Sequence, residues 1–424
     1  MIAAAELIAS GHALDTRAAD PVRDRVDGVV PGVIVTPKTA AAVAATLQWA
    51  SARRLSVVIR GQGSKDGWGA GAAPIDVLVE MSALNRILTH QAGDLTVTVE
   101  AGLRLHDLNQ QLAPHRQWLA LDPPWPERAT IGGLLATNDS GPQRHRFGTP
   151  RDLVIGIQLA TTDGALSKAG GQVVKNVAGY DLSKLISGSF GSLAAIVSAT
   201  FKLAPLPAAS ATVVIDRLSV ESLGAVIDSV SASQLEPVAF EVAVRHPAGA
   251  STPASPDITC LLRFASFPRV VDAEVANASA RVGSFHQSLQ VVVGESEREV
   301  WTAHARRLWE PPGTILRAAW RPADILRALT TLIDAGGLAG FELTGRLGVG
   351  AGHVRLEGDA ADHRTAIDRL RRSDVLGNIV VVRAPAGLRT PELVWGPRHN
   401  EPVTSALKRE LDPAGVLGAG RGPL

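Results

Sequence analysis

The 424-residue sequence is poor in cysteine and in aromatic side chains. Its single cysteine, Cys260, excludes an internal disulfide, a thiolate zinc site and a Cys-ligated iron–sulfur cluster within this chain. Aromatic residues make up 4% of the chain, so alanine, valine and leucine must fill the core instead. Folding in the cytoplasm fits this cysteine usage.

The sequence also lacks a charge imbalance and a long apolar run. The net charge is +1, so nucleic acid is not expected as the main partner. No uncharged apolar run approaches the roughly 20 residues that span a bilayer. The N-terminus carries Glu6 and no basic start, which makes it a poor signal peptide. We therefore expect a cytoplasmic protein that reaches the inner membrane, if at all, through a partner.

Glycine is abundant, and it is concentrated after predicted strands. The strand at residues 56–59 leads into Arg60-Gly61-Gln62-Gly63-Ser64-Lys65. Because glycine has no Cβ, successive N–H groups of such a loop can converge on an anion. Asp66 stands where a dinucleotide motif has its third glycine, and a strand follows instead of a helix. The nicotinamide form of the nucleotide-binding fold is therefore excluded.

Two further stretches rich in Gly, Ser and Thr lie beside predicted strands, at residues 129–138 and 175–192. Three such loops in one domain favour a large phosphate-bearing ligand over three unrelated turns. From about residue 209 onward, predicted strands and helices alternate without loops of this kind. This change in pattern predicts a second, α+β domain.

Together these motifs resemble the FAD-binding domain of the p-cresol methylhydroxylase (PCMH) and vanillyl-alcohol oxidase superfamily. The matching runs are Arg-Gly-x-Gly-Ser at 60–64, Thr-Ile-Gly-Gly at 130–133, Ala-Thr-Asn at 136–138, Lys-Asn-x-x-Gly-Tyr-Asp-Leu at 175–182, Gly-Ser-x-Gly at 188–191 and the tail at 411–421. Residues 345–350 and 395–397 make the E-type FAD-binding subunits of bacterial glycolate oxidase the most similar group.

The resemblance implies an α+β fold with two domains. After an N-terminal extension at 1–26, a two-subdomain PCMH-type FAD-binding domain would occupy 27–207. A smaller α+β cap domain for the substrate would occupy 208–396. A C-terminal helix and tail at 397–424 would return to the FAD domain.

The resemblance also implies roles around FAD. The first loop would hold the diphosphate, and the second, at 130–138, would clamp the diphosphate and the ribityl chain. Residues 175–180 would lie along the flavin, and residues 188–196 would approach the adenine. Pro123 and Pro124 would shape the floor of the flavin pocket. The residues expected to bind FAD are Arg60, Gly61, Gln62, Gly63, Ser64, Lys65, Pro123, Pro124, Thr130, Ile131, Gly132, Gly133, Thr137, Asn138, Lys175, Asn176, Gly179, Tyr180, Gly188, Gly191 and Ile196. Ser64 and Lys65 stand where many members attach FAD to a histidine, so we expect non-covalent FAD.

A second departure concerns catalysis. Related D-lactate and glycolate dehydrogenases bind a metal through His-x-Gly-Asp-Gly-Asn-x-His and Gly-Glu-His-Gly, but the corresponding run at 346–353 keeps only His353. One imidazole does not make a metal site, so no metal is expected. Arg346, as a clamp for a carboxylate, and His353 are the candidate catalytic residues, although a lone histidine is more often a surface or core residue. Arg398 and His399 fit solvated surface charges better.

The implied function is an FAD-binding redox subunit of a glycolate-oxidase-like complex. Electrons from a small 2-hydroxy acid would pass through the flavin to a partner, with a second flavoprotein subunit and an iron–sulfur subunit as the expected partners. Two alternatives stay open: an independent FAD-dependent alcohol oxidase or dehydrogenase, and a flavin-binding scaffold subunit without its own turnover. The degenerate metal pattern favours the scaffold over the independent enzyme.

Overall fold

The computed structural model describes residues 11–171, 180–247, 256–283, 285, 288–335, 340–397 and 401–423. The predicted FAD contacts Lys175, Asn176 and Gly179, and the surface candidates Arg398 and His399, lie outside these residues. The chain divides into two compact units. Unit 1 comprises the described parts of 1–140, 148–206 and 397–424, and unit 2 comprises 141–147 and the described parts of 207–396.

The described residues form the following strands: Leu14–Arg17 (β1), Val33–Pro37 (β2), Val57–Arg60 (β3), Val77–Glu80 (β4), Ile87–Gln91 (β5), Thr96–Glu100 (β6), Gln117–Trp118 (β7), Val154–Ala160 (β8), Leu166–Gly170 (β9), Ala195–Lys202 (β10), Ala204–Pro205 (β11), Ala209–Asp216 (β12), Ala239–His246 (β13), Asp257–Ser266 (β14), Ser288–Val293 (β15), Thr314–Ala319 (β16), Phe341–Arg346 (β17), Ala351–Leu356 (β18) and Gly377–Arg383 (β19).

The α-helices are Ala40–Ala52 (α1), Leu105–Leu112 (α2), Ile131–Thr137 (α3), Arg144–Phe147 (α4), Pro150–Leu153 (α5), Leu182–Ile186 (α6), Val220–Ser231 (α7), Pro268–Val282 (α8), Gly294–Arg306 (α9), Ile325–Ala335 (α10), Ala360–Arg371 (α11), Pro391–Trp395 (α12) and Glu401–Leu411 (α13). Parallel and antiparallel sheets occur with these helices, which confirms the predicted α+β class.

Unit 1 places a β–α–β unit directly before the first glycine loop. Strands β2, β4 and β3 are parallel neighbours, and β1 pairs antiparallel with β2. Helix α1 begins after Thr39, whose side chain accepts a hydrogen bond from the Ala42 N–H at 3.1 Å. Val43, Leu47 and Ala50 form the buried face of α1, as the helical spacing predicts.

A second sheet of unit 1 packs against helix α3, which contains Gly132 and Gly133. Its five antiparallel strands lie in the order β5-β6-β10-β8-β9. The shared core includes Val99, Leu108, Ile131 and Phe201, each at most 1% exposed. Helix α3 is therefore held against this sheet by buried apolar side chains.

The stretch at 130–138 is not the loop that its glycines predict, because residues 131–137 are helical. Thr130 caps this helix by accepting a hydrogen bond from the Gly133 N–H at 3.4 Å. A Cβ on Gly132 would lie 2.9 Å from the Cβ of Ala101, so the glycine permits close packing here. These glycines predict a loop, whereas in the structure Gly132 allows a helix to approach a neighbouring segment.

The N-terminal residues also contribute to unit 1. The residues before 27 show no clear periodicity, yet β1 joins the parallel sheet and Asp24 is 1% exposed. A hydrogen bond from the Arg17 guanidinium lowers the pKa of Asp24 far below its usual range.

Unit 2 is built on one antiparallel sheet of eight strands in the order β15-β12-β14-β13-β17-β18-β16-β19. Seven of these strands overlap the strands that the sequence predicts at 212–215, 238–244, 258–262, 289–293, 315–320, 341–344 and 378–382. The eighth, β18, was not predicted, and its first three residues, 351–353, belong to the remnant of the metal-binding motif. Helix α9 was not predicted either, and its residues Glu297, Trp301 and His304 contact strands β12 and β13.

Candidate functional site

A cavity in unit 1 lies where β3 ends and the first glycine loop begins. We call it the glycine-lined cavity, and the empty space within it and at its open mouth is about 670 Å³. It is lined by Val58, Ile59, Arg60, Gly61, Gln62, Gly63, Ser64, Lys65, Asp66, Thr130, Gly133, Ala136, Thr137, Phe190, Gly191, Gly418 and Arg421. Four chain segments that are distant in sequence therefore meet around one cavity.

Two glycines of the first loop are required by its geometry. A Cβ on Gly61 would lie 2.2 Å from the Thr130 hydroxyl oxygen, so no other residue fits without a shift. Gly63 has a φ of 68°, in the left-handed region that glycine favours. Their missing side chains leave a backbone cradle that suits a dianionic diphosphate, which needs several N–H donors converging on it.

The cavity brings together about half of the predicted FAD-binding residues. Its lining includes all six residues of the first loop together with Thr130, Gly133, Thr137 and Gly191. A second cavity, of about 450 Å³, shares part of this lining and adds Gly132 and Ile196. The adjoining cavity is more apolar, since Met81, Ala101 and Ala194 also line it. The two cavities together offer a polar and an apolar surface, as a dinucleotide needs.

Other predicted contacts lie elsewhere among the described residues. Tyr180 is 92% exposed, and Ile131 belongs to the core. Asn138 ends helix α3 with a φ of 48°, and its side-chain oxygen accepts a hydrogen bond from the Arg151 N–H. The lining of the two cavities does not include these three residues or Pro123, Pro124 and Gly188. Their roles toward FAD stay predictions.

Both cationic side chains of the first loop have carboxylate partners. The Arg60 guanidinium lies 2.6 Å from Glu80 and 3.5 Å from Asp66. The Lys65 ammonium lies 3.2 Å from Asp139, a carboxylate only 5% exposed, and 5.4 Å from the centroid of the Trp68 ring. Because carboxylates engage both cations, the backbone is the main source of donors toward an anion in the cavity.

Asp66 is the acidic residue in the lining. Burial raises the pKa of its carboxyl, while Arg60, Arg421 and Arg128 act in the opposite direction. The same three arginines offset the repulsion between an ionised Asp66 and a bound phosphate.

The candidate catalytic residues lie in unit 2, within a polar cluster that we define as Glu241, His304, Arg346 and His353. Glu241 on β13 faces Arg346 on β17 directly across the antiparallel pair. The Arg346 Nε lies 3.5 Å from the Glu241 carboxylate, and its Nη1 lies 3.4 Å from His353 Nδ1. The exposed fractions of Arg346 and His353 are 6% and 8%. Strand pairing thus brings the two predicted residues together.

The histidine of this pair is neutral. Burial lowers the pKa of His353 well below its usual value, and the positive charges of Arg346, Arg317 and Arg144 lower it further. A neutral His353 can accept the proton of the neighbouring guanidinium in a hydrogen bond through Nδ1. His353 is thus a core histidine, which is one of the two usual environments, surface or core, of an isolated histidine.

Helix α9 contributes His304, the fourth residue of the polar cluster. His304 Nε2 lies 3.0 Å from the Glu241 carboxylate, which is fully buried. One turn earlier, Trp301 donates its indole N–H to the Thr212 hydroxyl at 2.8 Å. Glu241 therefore bridges a helix and a neighbouring strand, and it is the negative charge beside Arg346.

Glu241 of the polar cluster and Gly418 and Arg421 of the glycine-lined cavity were not predicted from the sequence as site residues. Glu241 interrupts an otherwise apolar strand, Ala-Phe-Glu-Val-Ala-Val, and a charged residue in such a run is a signal of a buried ion pair. Gly418 and Arg421 lie in the tail motif, which carried the resemblance but no predicted contact.

The described residues contain no group of three or more His, Cys, Asp and Glu side chains that could hold a metal ion. In the same part of the chain, no helix is long and apolar enough to cross a membrane.

Comparison with known proteins identifies the first domain. Residues 31–170 match a family model described as an FAD binding domain. The glycolate oxidase subunit GlcD of Bacillus subtilis is 27% identical over 212 residues, which are 50% of this chain and 45% of the relative. The glycolate oxidase subunit GlcE of Escherichia coli is 38% identical over 125 residues, 29% of this chain and 36% of the relative. The matched region thus spans less than half of either relative.

A solved structure supports the fold over a longer part of the chain. An alkyldihydroxyacetonephosphate synthase superposes with a TM-score of 0.68, covering 95% of this chain and 81% of that one, at 16% identity. At this identity the likeness concerns the fold alone. The family match at residues 31–170 contains the first glycine loop and the Thr130 helix. By these comparisons, residues 31–170 of the chain are similar to an FAD binding domain.

Proposed function

We propose that this protein is an FAD-dependent oxidoreductase that oxidises a small 2-hydroxy acid as part of a glycolate-oxidase-like complex. The observation that carries the proposal is the glycine-lined cavity. The segments that match the FAD-binding domain converge there, and Gly61 and Gly63 form a cradle for a diphosphate. When bound, FAD would supply the capacity to accept two electrons from the alcohol.

The residues of unit 1 would bind and orient the cofactor. Backbone N–H groups of residues 61–65 would hold the diphosphate, and the apolar lining at Met81, Ala101 and Ile196 would cover a ring system. Ser64 and Lys65 supply no imidazole for a covalent bond to the flavin. We therefore propose that hydrogen bonds and packing alone hold the FAD.

The polar cluster of unit 2 would handle the acid. Oxidation of a 2-hydroxy acid requires a cation for the carboxylate and an acceptor for the hydroxyl proton. Arg346 has the planar guanidinium for the first task, and the neutral His353 has an unprotonated ring nitrogen for the second. Glu241 would hold the guanidinium in place through its Nε.

Complex membership rests on the relatives. GlcD and GlcE are described as subunits of glycolate oxidase, and we propose that this chain works beside a second flavoprotein subunit and an iron–sulfur subunit. With a single cysteine, the chain cannot itself hold a cluster with cysteine ligands.

One observation favours a second candidate function, a flavin-binding scaffold subunit without its own turnover. Arg346 and His353 are both more than nine-tenths buried, and Arg346 is already paired with Glu241. A substrate could use these groups only after they became accessible. A scaffold would need them solely for stability.

Anaerobic reduction of the flavin distinguishes these functions. The purified chain, alone and with co-purifying partners, is loaded with FAD and mixed with glycolate or D-lactate while the flavin absorbance is followed. Bleaching of the isolated chain supports the oxidoreductase and excludes the scaffold. If bleaching occurs only in the complex, Arg346→Gln decides: unchanged bleaching means that the substrate is oxidised in the partner. A chain that takes up no FAD would contradict both functions.

A further inference from the structure

The C-terminal tail forms a wall of the glycine-lined cavity although it follows the matched domain by some 240 residues in sequence. We define the tail as residues 412–423. Two of its residues, Gly418 and Arg421, line the cavity beside the first glycine loop. The tail therefore can act on the cofactor loop directly.

Hydrogen bonds fix the tail along β3. The Val57 N–H donates to the Val416 carbonyl at 2.8 Å, and the Gly418 N–H donates back to the Val57 carbonyl at 2.9 Å. Beyond the loop, the Ala73 N–H donates to the Ala419 carbonyl at 3.0 Å. The tail thus contacts the chain both before and after the glycine loop.

A buried ion pair shapes the turn into the tail. Asp412, which is 1% exposed, accepts hydrogen bonds from the Val416 and Leu417 N–H groups at 3.1 and 2.8 Å. Lys408 lies 2.7 Å from the Asp412 carboxylate and donates to the Ser192 carbonyl at 2.6 Å. This lysine connects α13, the tail and the segment that contains Gly191, so the tail has a defined path to the cavity.

Arg421 makes the direct contact with the loop. Its Nη2 donates to the carbonyl oxygens of Asp66 and Trp68, the latter at 3.2 Å, and lies 3.5 Å from that of Lys65. A guanidinium that engages successive carbonyls fixes the orientation of the peptide planes, and so of their N–H groups. It also places a positive charge beside a cavity suited to an anion.

We propose that Arg421 is a positioning residue for the cofactor: it holds the end of the first glycine loop so that the loop amides are ready for the FAD diphosphate. The inference rests on the glycine-lined cavity being the FAD site. It means that FAD binding requires the C-terminal tail, which lies outside the matched domain.

The test compares FAD affinity and loop protection in full-length Arg421→Gln, Arg421→Lys and wild type. Quenching of flavin fluorescence should show FAD affinity about tenfold or more weaker in Arg421→Gln, since hydrogen bonds to a charged donor are lost. Arg421→Lys should be intermediate, because an ammonium keeps the charge but not the fork. In the proteins without FAD, hydrogen exchange should rise in Arg421→Gln at residues 61–68 and stay unchanged in unit 2.

Arg371→Gln is the matched control. In unit 2, the Arg371 guanidinium likewise donates to three backbone carbonyls, those of Ile379, Leu393 and Val394. Its loss should lower the unfolding midpoint without changing FAD affinity. Equal losses of affinity in both glutamine variants, or wild-type affinity and loop exchange in Arg421→Gln, would overturn the proposal.

Two outcomes distinguish the role of Arg421 from the proposed reaction and from the proposed cofactor site. If wild type binds FAD but no 2-hydroxy acid bleaches it, the proposed reaction fails and the affinity comparison still decides the role of Arg421. If wild type binds no FAD, the cofactor site fails, and with it the proposal. Should Arg421→Gln not fold, Arg421→Lys decides by the same two measurements, since wild-type values for both would overturn the role.

Discussion

The glycine-lined cavity of unit 1 and the polar cluster of unit 2 are built in opposite ways. The cavity depends on missing side chains, because a Cβ on Gly61 would occupy space beside Thr130. The cluster depends on buried polar groups held close together, with the Glu241 carboxylate 3.5 Å from the Arg346 Nε and 3.0 Å from the His304 Nε2. The difference implies that adding atoms should damage the first, whereas removing a charge should damage the second.

The largest effect is expected from Glu241→Gln, which keeps the shape of the side chain and removes its charge. Arg346 would lose its buried carboxylate, and breaking a buried pair from one side costs about 3 kcal/mol. Denaturant unfolding should show this loss in the free energy of unfolding.

The matched control for Glu241→Gln is Glu295→Gln. The Glu295–Arg298 pair is more than 60% exposed on both sides, so its loss should change the free energy of unfolding by about 1 kcal/mol or less. Equal effects of the two substitutions would contradict the assignment of Glu241 to a buried ion pair.

Gly61→Ala should have the next largest effect, and on binding more than on folding. The added Cβ forces the loop away from Thr130, and overpacking of this kind costs about 1–3 kcal/mol, or roughly tenfold to a hundredfold in FAD affinity. Titration of the apoprotein with FAD measures the change.

Gly67→Ala, in the same segment, controls for the added methyl group. A Cβ at Gly67 meets no atom within 4 Å, so FAD should bind as tightly as to wild type. If Gly61→Ala also binds FAD like wild type, the cradle is not where the diphosphate lies.

The smallest effect concerns pH and the neutral histidine of unit 2. Since the folded pKa of His353 is lowered, the unfolded state takes up a proton below about pH 6.5 that the folded state does not. Stability should therefore fall on going from pH 7 to pH 5, with His353 contributing up to about 1.4 kcal/mol per pH unit.

His353→Gln should flatten this dependence in part, because burial also lowers the pKa of His145 and His363. Denaturant midpoints at pH 7, 6 and 5 provide the measurement. A variant whose stability falls with pH as steeply as that of wild type would show that folding does not lower the pKa of His353.

The sequence predicts a glycine loop after β3 because such a loop depends on local backbone chemistry. Residues 60–65 need only a strand before them and glycines within them, and both are visible in the sequence. The helix at 131–137 was not predicted, because Gly132 and Gly133 are poor helix formers and packing against Ala101 overrides that preference.

The polar cluster is less predictable, since its contacts depend on register. Arg346 and His353 were selected by analogy with a motif, but their partner Glu241 lies about 100 residues earlier and meets Arg346 only through the pairing of β13 with β17. The contacts of Arg421 have the same character, as they join positions more than 350 residues apart. Such long-range contacts leave no local pattern in a single sequence.

The central claim is that unit 1 holds FAD without a covalent bond, and one spectroscopic measurement tests it most directly. The full-length protein is saturated with FAD, freed of excess, and its flavin absorbance is measured before and after denaturation in acid. We predict about one FAD per chain, all of it released into the supernatant. A protein that stays colourless with excess FAD, or a flavin that precipitates with the denatured chain, would contradict the account.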